Sequence, residues 1–340
     1  MSKRWLQVAV GVALIGLLLW RARVWELGDT LRDFDPFVAV LVVLLNLPTI
    51  VLLAVRTHFV LRRLGYEASP LALVPISAVG NVAAVVTPGA AGDVIRAPFL
   101  KDHHAVAYAD SFATIVYERS YSFFILCSST ALIAVWNVVP NAVRIAIPAV
   151  GLLVLAAPAL VAMPLTSLGA WAARSSSGCP WCLRPIMHIL NVAEGRWIAS
   201  LTRLMKDWRL SLLFAALTVS IFAMIVCQLW LIADSLSVHL SAGEASLALG
   251  TSVAAGIASF LPLGLGVLDW TMATLLQNAG ATVGTATAVA ILYRATNSLP
   301  AGLLGVAAYG YLVITLGRTP HAEVESLSEG GAAAGAGDTP

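Results

Sequence analysis

Six ionisable side chains stand inside or beside hydrophobic stretches of this 340-residue sequence: Asp93, Arg96, Glu118, Arg119, Asp269 and Arg294. On insertion scales each costs about 2.5–3.5 kcal/mol at the centre of a membrane helix, so six unpaired ones would cost ~15 kcal/mol or more. They must pair with one another or face a hydrated cavity. A guanidinium fork fits phosphate oxygens, so Arg96, Arg119 and Arg294 could hold a phosphate-bearing headgroup. The carboxylates of Asp93, Glu118 and Asp269 could hold those arginines in place, meet a cationic headgroup or carry protons. The bland alternative is six residues locking a bundle through interhelical ion pairs. A hydrated cavity joining them favours transport, and dry, mutually saturated pairs favour a scaffold.

The elements that must position these groups are interrupted. Asp93 follows Pro88, Gly89 and Gly92, and Asp269 follows Pro262, Gly264 and Gly266. Proline removes a backbone donor and glycine weakens helix continuity. Non-helical backbone at membrane depth must be buried in protein or line a water-filled cavity. Segments 70–100 and 244–277 are therefore each expected to be two half-helices forming a re-entrant hairpin. Asp93 and Arg96 then share one face just after the first break, where half-helix N–H groups favour an anion.

The rest of the chain reads as membrane. It is 59% hydrophobic and 11% charged, against about a quarter charged in soluble domains. Apolar stretches at 5–20, 36–55, 111–136, 143–163 and 210–233, and a run at 281–316 that is one span or two, give an all-α polytopic bundle of about 6–8 spans. It occupies 1–317, with a disordered low-complexity tail at 318–340. The run from Trp5 to Trp20 lacks a cleavage site and reads as a retained helix with Lys3 and Arg4 in the cytoplasm. Loop 166–209 carries six Lys or Arg residues against Glu194 and Asp207, so it is expected to be cytoplasmic. The loop with Arg56, Arg62 and Arg63 is expected there too. Counting crossings between them, 70–100 enters and leaves from the cytoplasm, and 244–277 enters from the opposite side.

An internal repeat supports that count. An offset of 174 aligns Pro88 with Pro262, Gly92 with Gly266, Ala84 with Ala258, Val79 with Val253 and Leu73 with Leu247, while Arg119 and Arg294 lie 175 apart. Transporters commonly place their site where two inverted repeats meet.

Several classes are excluded or set aside. Nucleophile-elbow, HExxH and Walker patterns are absent from the sequence, so an enzyme or an ATP-driven pump is not expected. Cys179 and Cys182 have half-site spacing with only His188 near, and read as a fortuitous loop pair. His103-His104 reads as a solvated turn rather than a metal site. A net charge of +2 gives no reason to invoke nucleic acid, and neither cofactor nor metal is expected.

The motifs resemble a flippase-like family, that of the transmembrane domain of lysylphosphatidylglycerol synthase (the multiple peptide resistance factor). The resemblance rests on Arg56, on Asn81 followed by Thr87-Pro88-Gly89-Ala90-Ala91-Gly92-Asp93-Val94-Ile95-Arg96, and on Glu118-Arg119. It continues with Pro262-Leu263-Gly264-Leu265-Gly266-Val267-Leu268-Asp269 and Arg294, covering about 5–317. It implies a multi-pass protein of the inner (plasma) membrane linked to moving a phospholipid or polyprenyl-linked lipid between leaflets; the alternative reading of the residues is a non-transporting scaffold or accessory subunit of a lipid-modifying or glycosylating enzyme. No aminoacyl-transferase domain follows, so synthase activity is not implied. The family's second motif usually reads Pro-Gly-Gly-x-Gly-x-Arg-Glu. Here Leu263 replaces the first Gly, Leu268 the Arg and Asp269 the Glu, so one positive charge is missing from the second half.

Overall fold

The computed structural model describes Leu17 and residues 34–138 and 196–316. The stretches at 5–20 and 143–163, the Cys179/Cys182 pair, most of loop 166–209 and the tail lie outside them. Among the described residues every regular element is helical. Helices α1 (Pro36–Leu44) and α2 (Asn46–Leu64) form one bent run, started by Asp35, whose carboxylate accepts from the Phe37 N–H at 2.8 Å. Gly65 ends it in the left-handed conformation, with φ 97°. Arg56 thus sits inside α2 and is buried. The expected span 36–55 stops nine residues short, because Arg56 finds partners inside the bundle instead of beginning a loop.

Helix α3 (Pro70–Val86) stops where Thr87 turns extended (ψ 145°), the backbone that a following proline imposes. The Thr87 hydroxyl donates to the Ala83 carbonyl at 2.7 Å and accepts from the Gly92 N–H at 2.6 Å. This folds the 3₁₀ turn Pro88–Ile95 back along α3, and α4 (Arg96–His104) follows without a gap. The contacts are antiparallel: Gly92 lies on Ala83, and Asp93 and Arg96 lie on Gly80. Both ends of the hairpin meet, since the Ala107 N–H donates to the Tyr66 hydroxyl at 3.2 Å.

Helix α5 (Tyr108–Val138) follows, and α6 (Arg196–Lys206) buries Trp197, Leu201, Leu204 and Met205 beside it. Asp207 caps α7 (Trp208–Ser235) and pairs with Arg63, so α2 ends and α7 begins on the same end of the bundle. With 28 residues, α7 spans about 42 Å. Its far end meets the start of α1, where the Asp35 N–H donates to Ser235 Oγ at 3.2 Å.

From that far end rises a second hairpin, α8 (Ala242–Ala258) and α9 (Val267–Asn278), with the short 3₁₀ turn Pro262–Gly264 between them. Gly256 packs on Gly264 and Leu268, so these arms are antiparallel as well. The two hairpins start from opposite ends of α7, and their broken turns lie against one another.

The run 281–316 resolves as one continuous helical rod: α10 (Val283–Tyr293), a π-turn (Arg294–Ser298) and α11 (Leu299–Leu316). Pro300 explains the π-turn, because it cannot donate to the Thr296 carbonyl. The Leu299 N–H bonds back to Arg294, and the Asn46 amide donates to the Thr296 carbonyl at 3.1 Å. Three described runs are long and apolar enough to cross a bilayer: Pro36–Leu64, Trp208–Ser235 and Val283–Thr315. Helix α5 is also long enough, but carries Asp110, Glu118 and Arg119. The molecule is a multi-pass helical membrane protein.

Candidate functional site

At the first break the hairpin presses its charged turn against α2 and α5. Arg96 is the centre. Its Nη2 donates to Glu118 Oε2 at 2.6 Å and to Asp93 Oδ2 at 3.0 Å, and its Nε lies 2.8 Å from Asp93 Oδ1. That last N–H is not aimed for a hydrogen bond, so the contact counts as Coulombic pairing. Arg119 Nε donates to Asp93 Oδ2 at 2.7 Å. Thr57 Oγ1 donates to Glu118 Oε1 at 2.7 Å and accepts from Arg96 Nη1 at 3.3 Å. The i, i+3 spacing of Asp93 and Arg96 serves this well, because a 3₁₀ turn of three residues eclipses such positions.

Two residues that make this arrangement possible carry no charge or no carboxylate partner. A Cβ on Gly80 would fall 2.2 Å from Arg96 Cδ and 2.6 Å from Asp93 Oδ1, so the pair occupies the space this glycine leaves. Arg56 is buried and lies in the same layer. Its Nη1 donates to Ser122 Oγ at 2.8 Å and Thr218 Oγ1 at 3.3 Å, and its guanidinium sits 4.6 Å from the Phe214 ring centroid. Its Nε is buried with no hydrogen-bond partner, and no described carboxylate pairs with it. Three arginines (Arg56, Arg96, Arg119) against two carboxylates (Asp93, Glu118) leave this group a formal charge of 3 − 2 = +1.

The core of the group is dry. Asp93 and Glu118 are each 1% exposed and Arg96 4%, whereas the Arg119 side chain is 37% exposed at the rim. The helical turn after the break starts at Pro88, so no open half-helix start falls at Arg96 itself. The 3₁₀ turn runs straight into α4, and the Arg96 N–H is already bonded to the carbonyls of Asp93 and Val94.

The second break holds one ion pair. Arg294, the first residue of the π-turn, grips Asp269 with two 2.8 Å hydrogen bonds, Nε to Oδ1 and Nη2 to Oδ2. Asp269 Oδ2 also accepts from the Gly266 N–H at 3.1 Å, and Arg294 Nη1 donates to the Leu263 carbonyl at 3.2 Å. Leu263 is left-handed (φ 59°, ψ 7°), a conformation natural to glycine and strained for leucine. In both halves, then, the aspartate after the break binds an arginine farther along the chain: 26 residues on for Asp93–Arg119 and 25 for Asp269–Arg294.

The sequence-derived set thus divides. Asp93, Arg96, Glu118 and Arg119 come together; Asp269 and Arg294 form a separate pair. No ion pair joins the groups among the described residues. The six residues expected to share one polar cavity thus form two ion-paired groups, whose broken turns lie against one another. A cavity of about 740 Å³ lies on the other side of α3, lined by α2, α3, α11 and the end of α4. His103 and His104 belong to its wall, as the last turn of a helix and half-buried, not as the solvated turn expected. Sequence reasoning missed the burial of Arg56 and the part of Thr57 and Gly80. The apolar pattern that continues past Arg56 to Val60 and Leu61 was the available signal.

A bundle built of two broken helical hairpins, each holding a charge pair, defines a polytopic helical membrane protein. Residues 4–305 match the model of the lysylphosphatidylglycerol synthase transmembrane region, and the chain belongs to that family. No curated protein matches the chain significantly.

Proposed function

We propose that the protein is a non-enzymatic, flippase-like transporter that moves a phosphate-bearing lipid between the leaflets of the plasma membrane. The observation that carries this reading is the +1 group at the first break: a buried cluster with one more arginine than carboxylates. An uncompensated charge at membrane depth is costly, and a phosphate entering the group would balance it. Arg119, whose side chain is partly exposed at the rim, meets the phosphate first. Arg294, also partly exposed, does so from the second break. Asp93 and Glu118 hold Arg96, and Asp269 holds Arg294, so that the guanidiniums stay oriented. The tails remain in the bilayer. In this reading the two hairpins re-enter from opposite faces, the N-terminus is cytoplasmic, and the touching breaks part to admit the headgroup.

The test is leaflet exchange of a labelled phospholipid in vesicles containing the reconstituted protein. Arg119→Gln and Arg96→Ala are expected to slow exchange roughly tenfold or more, as loss of a charge-assisted contact does, while Arg63→Gln leaves it unchanged. Equal rates for wild type and both site variants, all folded, would sink the proposal.

A second reading has its own observation. Asp93, Arg96 and Glu118 are dry and mutually paired, as in a scaffold that supports a lipid-modifying enzyme. It expects the same substitutions to lower stability and partner recovery with no effect on exchange.

A further inference from the structure

The 740 Å³ cavity is built unlike the charged site and lies apart from it. Of its sixteen lining residues, twelve are apolar, among them Leu47, Val51, Leu71 and Leu304. The four polar ones are His103 and His104, which end α4, and Tyr311 and Thr315 in the last turns of α11. The wall of α11 from Leu304 to Thr315 runs twelve residues, about 17 Å. Its walls are helices of the apolar spans Pro36–Leu64 and Val283–Thr315 and the shorter apolar helix Pro70–Val86. Leu71 is 79% exposed and Tyr311 60%. Helices of such length and composition cross hydrocarbon, which fills apolar space that water leaves empty.

The polar end is equipped for a headgroup. It lies where α3 begins and α4 and α11 end, the end of the bundle that also carries Arg62 and Arg63. His103 Nε2 is buried there with no hydrogen-bond partner, whereas Thr315 Oγ1 already donates to the carbonyls of Tyr311 and Leu312. A buried ring nitrogen without a partner costs free energy, and a ligand oxygen at the groove mouth removes that cost. Opposite, Pro75 inside α3 cannot donate to the carbonyl of Leu71, which leaves an acceptor beside the mouth.

We propose that this groove is a resident site for one membrane glycerophospholipid, with an acyl chain along α11 and its phosphate hydrogen-bonded by His103. The site shares no residue with the charged group, so it stands whether or not the protein translocates lipid.

The test uses the full chain reconstituted in nanodiscs of phosphatidylglycerol and phosphatidylethanolamine, released and weighed by native mass spectrometry. Wild type is expected to retain one phospholipid. Ala307→Trp and Ala72→Trp fill the groove from facing walls at exposed positions, and each is expected to cut retention roughly tenfold with an unchanged unfolding midpoint. Diacylglycerol with the same chains is expected to be retained less than phospholipid, and His103→Ala to abolish that difference. Retention unaffected by both tryptophans means non-specific boundary lipid and overturns the proposal. So does wild type retaining none, which means protein closes the groove, and so does equal retention of diacylglycerol by wild type. Because none of these readouts is transport, they fail or succeed separately from the leaflet-exchange assay.

Discussion

The two breaks solve the same problem with different means. At the first, a 3₁₀ turn delivers Asp93 and Arg96 into a layer already holding Arg56, Glu118 and Arg119, and all of these charges but Arg56 settle around shared partners. At the second, one bidentate pair suffices, and the turn depends on left-handed residues: Leu263, Gly264 and Gly266. The aspartate–arginine link recurs in both, so it is the part the repeat retains. What differs is the surrounding charge: the first group carries a surplus arginine, and the second is neutral. The difference teaches that a hairpin break needs only one ion pair to close, so the additional charges of the first break invite another explanation.

The largest expected effect breaks the comparison directly. Asp93 binds two arginines and is almost wholly buried, so Asp93→Asn is expected to cost about 3–5 kcal/mol, as stripping a partner from a buried pair does. Asp269 serves one arginine near the rim, and Asp269→Asn is expected to cost about 1.5–3 kcal/mol, the range for a charged hydrogen bond. Unfolding free energies measured in detergent compare them, and equal losses would show that crowding at the first break contributes nothing.

Next in size is the amide that holds the π-turn. Asn46→Leu leaves the Thr296 carbonyl buried and is expected to cost about 1–3 kcal/mol, read in the same assay. If unfolding is unchanged while Arg294 keeps its grip on Asp269, the π-turn needs no support from α2.

A smaller effect has the opposite sign. Leu263→Gly relieves about 1–2 kcal/mol of left-handed strain but gives back about 0.5–1 kcal/mol in chain freedom. The net expectation is a gain of about 0–1.5 kcal/mol in unfolding free energy. A loss would show that the leucine side chain contributes packing that outweighs the strain.

The smallest lies away from both breaks and serves as a reference. Asp207→Ala removes the cap of α7 and is expected to cost about 1 kcal/mol. The Leu210 N–H, with Arg63 beside it, holds the Asp207 carboxyl below its ordinary pKa. A depressed folded pKa stabilises above the unfolded value of about 3.9, and that contribution disappears as pH falls through the folded value. Melting curves between neutral pH and that range are expected to converge for wild type and Asp207→Ala in acid.

Much of this was legible in the chain. Pro88 and Pro262 marked the breaks, because a missing N–H acts locally and needs no tertiary context. The spacing of Arg62, Arg63 and the residues before Asp207 put two loops on one end, and the Arg63–Asp207 pair joins them. Arg56 was misplaced because a charge reads as the end of a span unless its partners are known. Those partners, Ser122, Thr218 and the Phe214 ring, lie 66 to 162 residues away. The separation of Asp269–Arg294 from the first group was hidden for the same reason. Side-chain direction at a broken turn is set by packing, not by spacing.

The π-turn has one further consequence. Widening a single turn inserts an extra residue into the winding, which rotates everything after it by about 100° relative to an unbroken α-helix. The rod 283–316 therefore changes phase partway along. Its first stretch carries Arg294 to the second break, and its last stretch turns another azimuth toward α3 and the lipid groove. One span thus serves two neighbourhoods that a helix of uniform pitch would present differently, and Pro300 sets the angle between them.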